Sequence, residues 1–327
     1  MSLPSLHIGG LTAKVPIIQG GMAVRISMAK LAAAVANEGG IGLIAASGIK
    51  PPELIENIQA ARKMSDGIIG INVMVAVREF ANLVQAAIKE GIDLIVAGAG
   101  FSRDAFKWCA EAKAPFVPII SEERGAKMAE RLGASAVILE GKEAGGHLGT
   151  GKRGLESTWD VLPRIIGAVS VPVIAAGGIL VGKDIAKALD MGASGVQIGS
   201  RFAVSDESNA AIEWKQACVD AKPEDVVLVE SPVGMPARAL SNEFAKRIED
   251  MNSEKVKTRC VRCLKECKKN YCIIDALEKA RQGDLKNGLI FCGERIGEIK
   301  EILPVKEIFK RLIKEYELAE NPVITYG

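Results

Sequence analysis

From Val15 to Ser200 a short apolar run is followed by a Gly- or Pro-marked turn and then by a stretch with apolar positions at helical spacing. The apolar runs are Val15–Ile18, Gly40–Ala45, Ile68–Val73, Asp93–Ala97, Phe116–Ile120, Ala134–Leu139, Val171–Ala175 and Ser194–Ile198. They are apolar throughout and lack strict alternation, the pattern of strands buried on both faces of a parallel sheet. Between them the spacing predicts helices at Ser27–Asn37, Pro52–Met64, Val77–Glu90, Arg103–Ala112, Glu122–Leu132, Thr158–Ala168 and Gly182–Met191. Several of these end on Gly (Gly39, Gly91, Gly133, Gly192), the residue that takes the left-handed helix cap at least cost. Eight unbroken βα units predict an α/β fold, a closed (β/α)8 TIM barrel, with an open doubly wound sheet as the alternative.

After Arg201 the rhythm breaks. Asp206–Val219 reads as the eighth helix, Val226–Glu230 as a short strand, and Asn242–Met251 as a basic helix after the turn-rich stretch from Ser231 to Arg238. Val305–Glu317 reads as an amphipathic helix able to pack back on the barrel. The expected division is therefore a barrel of residues 1–204 completed by a helix at 303–317, and a smaller helical, Cys-rich, substrate-side domain at 205–302.

Charge narrows the function. Lys and Arg number 42 against 40 Asp and Glu, giving a net charge of +2, so neither nucleic acid nor an anionic membrane is expected as partner. No apolar stretch approaches the ~20 residues of a membrane helix, and the start carries no signal-peptide pattern. A cytoplasmic location follows as the expectation, with the seven Cys read as thiols or metal ligands instead of disulfides.

Active sites of such barrels lie at the C-terminal ends of the strands, and the unusual residues stand there. Gln19-Gly20-Gly21-Met22 follows strand 1, where paired glycines let backbone approach a flat ligand. Asn72 follows strand 3, able to donate and accept at a ring edge. Glu140, Glu143, Gly145, Gly146 and His147 follow strand 6. Ala176-Gly177-Gly178-Ile179 follows strand 7, and Gln197-Ile198-Gly199-Ser200 follows strand 8. Glycine-rich turns after strands 7 and 8 are the usual phosphate site of these barrels, though each could be a tight turn only. His7 reads as a surface residue, whereas the placement of His147 favours an acid, base or substrate-binding role. No Ser-His-Asp pattern, zinc HExxH motif or GxGxxG after the first strand is present.

Taken together, Ile18–Met22, Gly39–Gly42, Gly70–Met74, Glu143–His147, Ala175–Ile179 and Gln197–Phe202 resemble the nitronate monooxygenase family, formerly 2-nitropropane dioxygenase. They also resemble its relative, the FMN-dependent enoyl-acyl-carrier-protein reductase II. The resemblance spans about residues 5 to 250, and Pro232–Arg238 and Phe244–Lys246 continue it. It implies non-covalent FMN in the barrel mouth. Gly21, Met22 and Asn72 would lie along the isoalloxazine ring, and Gly177, Gly178, Gly199 and Ser200 would hold the phosphate. Gln197 would face the cofactor, with Gly20, Glu140, Gly145 and Gly146 completing its surroundings. His147 would sit over the ring beside the substrate as the catalytic residue.

Two oxidoreductase reactions fit that pocket. Oxidation of an alkyl nitronate with O2 is placed first. The alternative is reduction of an enoyl thioester or quinone with NAD(P)H as co-substrate. A flavin-free barrel binding a phosphorylated ligand is the reading from a different class. A small-molecule substrate and a homodimer complete the expected partners; the basic run Lys265–Lys269 reads as a solvated face, with a dock for an acyl carrier protein as the alternative.

Cys260, Cys263, Cys267 and Cys272 fall within thirteen residues, with Cys292 twenty further on. Clustered thiols suit Zn2+ or an iron–sulfur cluster, although the spacing matches neither a zinc ribbon nor a ferredoxin run. The competing reading places Cys260, Cys263 and Cys267 on one helix face as packed thiols, since free Cys packs as a small hydrophobe. Cys109 and Cys218 read as buried filler.

Overall fold

The computed structural model describes residues 3–250 and 260–320. Its centre is an eight-stranded parallel sheet: Ile17–Gln19, Gly42–Ala45, Ile69–Met74, Leu94–Gly98, Phe116–Ile120, Val137–Glu140, Val173–Ala176 and Gly195–Ile198. From the second strand to the eighth each pairs in parallel with its sequence neighbour, and the eighth pairs with the first through Val196 opposite Ile17. A parallel bridge from Ile18 to Ile41 closes the ring, with the Gln19 N–H donating to the Ile41 carbonyl at 2.9 Å. The buried Gln19 amide spans the same seam, accepting from Leu43 N–H at 3.1 Å and donating to the Leu43 carbonyl at 3.3 Å. The sheet is thus a barrel, as the buried apolar strands predicted.

Two apolar layers hold it. Between strands and helices lie residues such as Leu31, Val35, Ile71, Leu83 and Val161. Inside the barrel, Ile18, Leu43, Val96, Val117, Ile138 and Ile174 meet Leu6, Ile8 and Ala13. The last three come from an N-terminal hairpin, Leu6–Ile8 with Leu11–Ala13, absent from the sequence reading. It plugs the end of the barrel at the strands' N-termini, so the opposite end is left to form a site. His7 lies on its exposed face, as expected.

The seven inter-strand helices form within a few residues of the predicted spans. The eighth does not. Asp206–Val219 yields a helix only over Ile212–Asp220, and Trp214 and Cys218 on it pack in a separate apolar cluster with Ile290, Ile296 and Leu240. The place against the barrel is taken by Val305–Glu320, which buries Ile308, Phe309 and Leu312. It lies so close to Gly182 that a Cβ there would stand 2.3 Å from the Leu312 carbonyl oxygen. The basic helix runs Glu243–Glu249, and Met251 lies outside the described residues.

The stretch 205–302 also carries more β structure than the helical reading allowed. Val226–Glu230 and Pro236–Leu240 form an antiparallel pair, and Pro236–Leu240 also pairs with Gly146–His147 from the loop after the sixth barrel strand. The expected helical stripe of Cys260, Cys263 and Cys267 is not formed: that segment is irregular, and the helix begins only at Ile273. Left-handed Arg262 (φ 51°) and Lys269 (φ 58°) break any helical path there. No helix among the described residues is long and apolar enough to cross a membrane.

Candidate active site

A cavity of about 460 Å³ opens at the C-terminal ends of the strands. All thirteen residues singled out for catalysis or cofactor binding line it: Gly20, Gly21 and Met22 beside strand 1, Asn72 on strand 3, Glu140 through His147 after strand 6, and the residues after strands 7 and 8. The metal candidates are not gathered with them. Cys292 is buried at this cavity, Cys260 and Cys267 are exposed, Cys263 is half-buried and Cys272 is buried. Among the described residues no group of three or more His, Cys, Asp or Glu side chains has the arrangement of a metal site. The irregular path from Cys260 to Cys272 keeps the five thiols from converging.

The loop after strand 6 is the most heavily fixed part of the site. Arg238, buried, donates from Nε to the Ala144 carbonyl at 3.2 Å and from a terminal nitrogen to the Lys142 carbonyl at 2.6 Å. Glu143 accepts from the Thr158 N–H at 2.9 Å and the Thr158 hydroxyl at 3.1 Å, so this carboxylate holds the start of helix Thr158–Ile166. His147 is aimed by pairing of its backbone with Ala237. Its Nε2 lies 2.7 Å from the Ser231 hydroxyl, and its ring meets Phe291 edge-on at 5.2 Å. Burial pushes the imidazole down to about 4, so His147 is neutral at physiological pH.

Glu140 ends strand 6 inside the cavity, and burial pushes its carboxyl up to about 8. It is therefore protonated at neutral pH and able to donate a hydrogen bond. The linkage has a definite sign: the folded chain holds this proton from pH 4.5 to about 8 while the unfolded chain has lost it. Its contribution to stability is present below pH 4.5 and is lost as pH rises through about 8. Melting profiles of the flavin-stripped protein should therefore fall between pH 5 and pH 9 more steeply for wild type than for Glu140→Gln. Parallel profiles would remove the buried, protonated Glu140.

The turns after strands 7 and 8 have the geometry for close backbone approach. Gly177 and Gly178 sit at φ +95° and +73°, and a Cβ on Gly177 would stand 2.9 Å from the Thr158 hydroxyl. A Cβ on Gly199 would meet nothing within 4 Å, so its face opens on the cavity. Gln197 is buried, and its Oε1 has no hydrogen-bond partner among the described residues. A buried amide oxygen is costly to leave unpaired, so a donor from a bound group is called for at this point. Flavin ring edges and ribityl hydroxyls offer such donors, and the residues present fit FMN.

The sequence reading missed the cover of the site. Phe291, Gly293 and Arg295 reach it from the far end of the chain, where the Gly293 N–H donates to the Ser200 hydroxyl at 2.9 Å. Arg295 donates to the Gly178 carbonyl at 2.6 Å and to Asp184 at 2.8 Å, placing a guanidinium against the strand-7 turn. The only signal was the turn glycine in Phe291-Cys292-Gly293-Glu294-Arg295, the same mark that flagged the strand ends. Ser231, paired with His147, carried no signal. Opposite the turns, Val77, Phe101, Leu264, Ile274 and Leu277 form an apolar wall.

Known proteins resemble this chain over most of its length. The family model described as nitronate monooxygenase matches residues 5–315. A Mycobacterium tuberculosis protein named (3aS,4S,5R,7aS)-5-hydroxy-7a-methyl-1-oxo-octahydro-1H-indene-4-carboxyl-CoA dehydrogenase is 31% identical, over 72% of this chain and 65% of that protein. The match thus spans somewhat under two thirds of that relative's length. A probable nitronate monooxygenase of Staphylococcus aureus is 29% identical over 74% of this chain and 79% of its own. Among solved structures, FabK from Thermotoga maritima superposes with a TM-score of 0.84 at 34% identity, covering 93% of both chains. A nitroalkane oxidase from Streptomyces ansochromogenes has the same fold, with a TM-score of 0.81 at 23% identity.

Proposed function

The chain belongs to the nitronate monooxygenase family, and from that premise we propose that it is an FMN-dependent reductase of an unsaturated acyl thioester, with NADH or NADPH as the electron donor. The observation that carries this choice within the family is the charge of the cavity. Among the described residues lining it, Arg295 is the only Lys or Arg, and Asp184 and Glu298 already hold its guanidinium at the strand-7 turn. An anionic nitronate therefore finds no fixed cation beside His147, whereas a neutral acyl chain is matched by the wall of Val77, Leu264, Ile274 and Leu277. Similarity to FabK, an enoyl-acyl-carrier-protein reductase II, and to a protein named as a CoA-ester dehydrogenase supports the same reading.

Bound FMN supplies hydride acceptance and donation. The chain supplies the rest. Gly177, Gly178, Gly199 and Arg295 would hold the cofactor's phosphate end, Gln197 and Asn72 would pair with polar edges of the ring, and Gly20 and Gly21 would let the backbone approach it. Neutral His147, oriented by Ser231, places a hydrogen bond on the thioester carbonyl, where negative charge grows as the double bond takes up hydride. Phe291 and the apolar wall keep water from that carbonyl. Lys265, Lys268 and Lys269 stand beside Leu264 on an exposed loop, a surface of the right sign for an acidic carrier protein bearing the thioester.

Anaerobic mixing of the purified yellow protein with NADH and NADPH, read by flavin absorbance, tests the proposal. Rapid bleaching by one nucleotide, reversed by a trans-2-enoyl thioester, is expected. Bleaching by an alkyl nitronate with neither nucleotide active would replace it with nitronate oxidation.

A further inference from the structure

Arg238 lies in the middle strand of the small antiparallel sheet and is 8% exposed, yet it does not line the cavity. Among the described residues no Asp or Glu forms an ion pair with its guanidinium, whose partners are two main-chain oxygens. Nε donates to the Ala144 carbonyl at 3.2 Å, and a terminal nitrogen donates to the Lys142 carbonyl at 2.6 Å. The carbonyls between and before these are taken by backbone: Gly141 accepts from the Ala144 N–H at 3.1 Å, and Glu143 accepts from the Glu294 N–H at 3.0 Å. One side chain thus fills the two remaining carbonyls of the turn that leads into His147. The Arg238 backbone holds two further pieces, lying opposite Gly146 and accepting from the Cys292 N–H at 3.3 Å.

We propose that Arg238 is a positioning residue for the reaction, its guanidinium holding the turn from Lys142 to Ala144 so that His147 keeps a fixed place in the cavity. The proposal rests on the role given to His147 above, and not on which acceptor His147 serves. A buried charge without a counter-charge is costly to the fold, and an apolar side chain of similar volume would pack at least as well. What the fold gains from Arg is a rigid fork of N–H donors in one plane. Two carbonyls two residues apart are gripped together, which fixes the turn in orientation as well as in place, whereas a single contact would let it pivot. Between the gripped turn and His147 the chain has no slack: a Cβ on Gly145 would stand 2.6 Å from the Cys292 carbonyl carbon. In so close-packed a passage a shift at Lys142–Ala144 is handed on to His147.

Two substitutions separate this role from fold maintenance. Arg238→Lys keeps the charge and loses the fork. Arg238→Met keeps much of the volume and loses both charge and donors. The backbone pairings with Gly146 and Cys292 survive either change. The flavin-stripped variants should therefore melt within a few degrees of wild type, since a buried charge replaced by an apolar side chain of similar size is often neutral for stability. FMN affinity should stay within about threefold and KM within about threefold, while kcat falls about 10²-fold, the cost of a small misplacement of a catalytic group.

Turnover of the FMN-loaded enzymes with NADH or NADPH and trans-2-octenoyl-CoA gives kcat and KM, and flavin fluorescence and melting of the stripped proteins give the other two quantities. In Arg238→Ala, millimolar guanidinium chloride should restore kcat by about tenfold, whereas equal ammonium chloride should not, because only the planar fork reaches both carbonyls. If wild type oxidises ethyl nitronate and leaves the enoyl thioester untouched, the reductase reading falls, and the same variants are compared on the nitronate. The assignment of Arg238 is overturned separately, by variants that keep wild-type kcat or by a loss carried in KM or FMN affinity. Failure of guanidinium to restore Arg238→Ala would overturn it too. So would failure of both Arg238→Lys and Arg238→Met to fold, which would make Arg238 a residue of the fold alone.

Discussion

Replacing His147 with Ala should leave FMN bound at one per chain and lower kcat by about 10²–10⁴-fold, the span that a positioned proton donor or hydrogen-bond donor supplies. The side chain makes no contact that holds the fold: its partners are the Ser231 hydroxyl and the edge of Phe291. Its backbone pairing with Ala237 survives the change. A loss confined to kcat therefore reads transition-state stabilisation, whereas a rise in KM alone would read uniform binding. The pH dependence adds a second readout. Because burial holds the imidazole at about 4, the turnover of wild type should show no inflection near pH 6.5 that disappears in the variant. Stability behaves differently: between pH 6.5 and about 4 the unfolded chain binds a proton at this residue and the folded chain does not. Wild type should lose roughly 3 kcal/mol across that window, and His147→Ala should be spared it. Undiminished turnover in His147→Ala would end its role in the reaction.

The barrel was legible because every strand is buried on both faces and every turn after it carries Gly or a polar residue that a closed core would reject. The same rule located the site, since Gly177, Gly178, Gln197, Gly199 and His147 all interrupt apolar runs at one end of the sheet. What escaped was whatever depends on contact between remote segments. The amphipathic stripe of Val305–Glu320, far stronger than that of Ile212–Asp220, marked it as able to complete the barrel. Sequence order, however, also made Asp206–Val219 the eighth helix, and there only Ile212–Asp220 is helical. Trp214 and Cys218 bury against Ile290 and Ile296, a surface that no local pattern announces. Cys260, Cys263 and Cys267 had helical spacing, but left-handed Arg262 and Lys269 cost that segment its helix. Ser231 and Arg295 act through partners 84 and 117 residues away. A Ser in a turn and an Arg near a Glu carry no trace of such partners.

Gly199→Ala separates cofactor contact from fold maintenance. Gly199 has a negative φ of −100°, which any residue adopts, and it precedes the short helix Ser200–Ala203. An added Cβ meets no protein atom within 4 Å. The flavin-stripped variant should therefore melt at or slightly above the wild-type temperature, because Ala loses less chain entropy on folding than Gly. FMN affinity should nevertheless fall at least about tenfold, the cost of roughly 1.4 kcal/mol that one methyl forced into a close-packed contact exacts. Gly21→Ala makes the opposite case. Its Cβ would stand 2.2 Å from the Asn72 Cβ, so the backbone of strand 1 must shift even with no cofactor present, and the stripped protein should lose stability as well as FMN. Flavin fluorescence quenching gives the affinities, and melting of the stripped proteins gives the folds. If Gly199→Ala binds FMN as tightly as wild type, the cofactor does not reach the end of the eighth strand. The open space beside Gly199 would then belong to the substrate, and the unpaired Gln197 oxygen would mark the substrate's polar group instead of the flavin's.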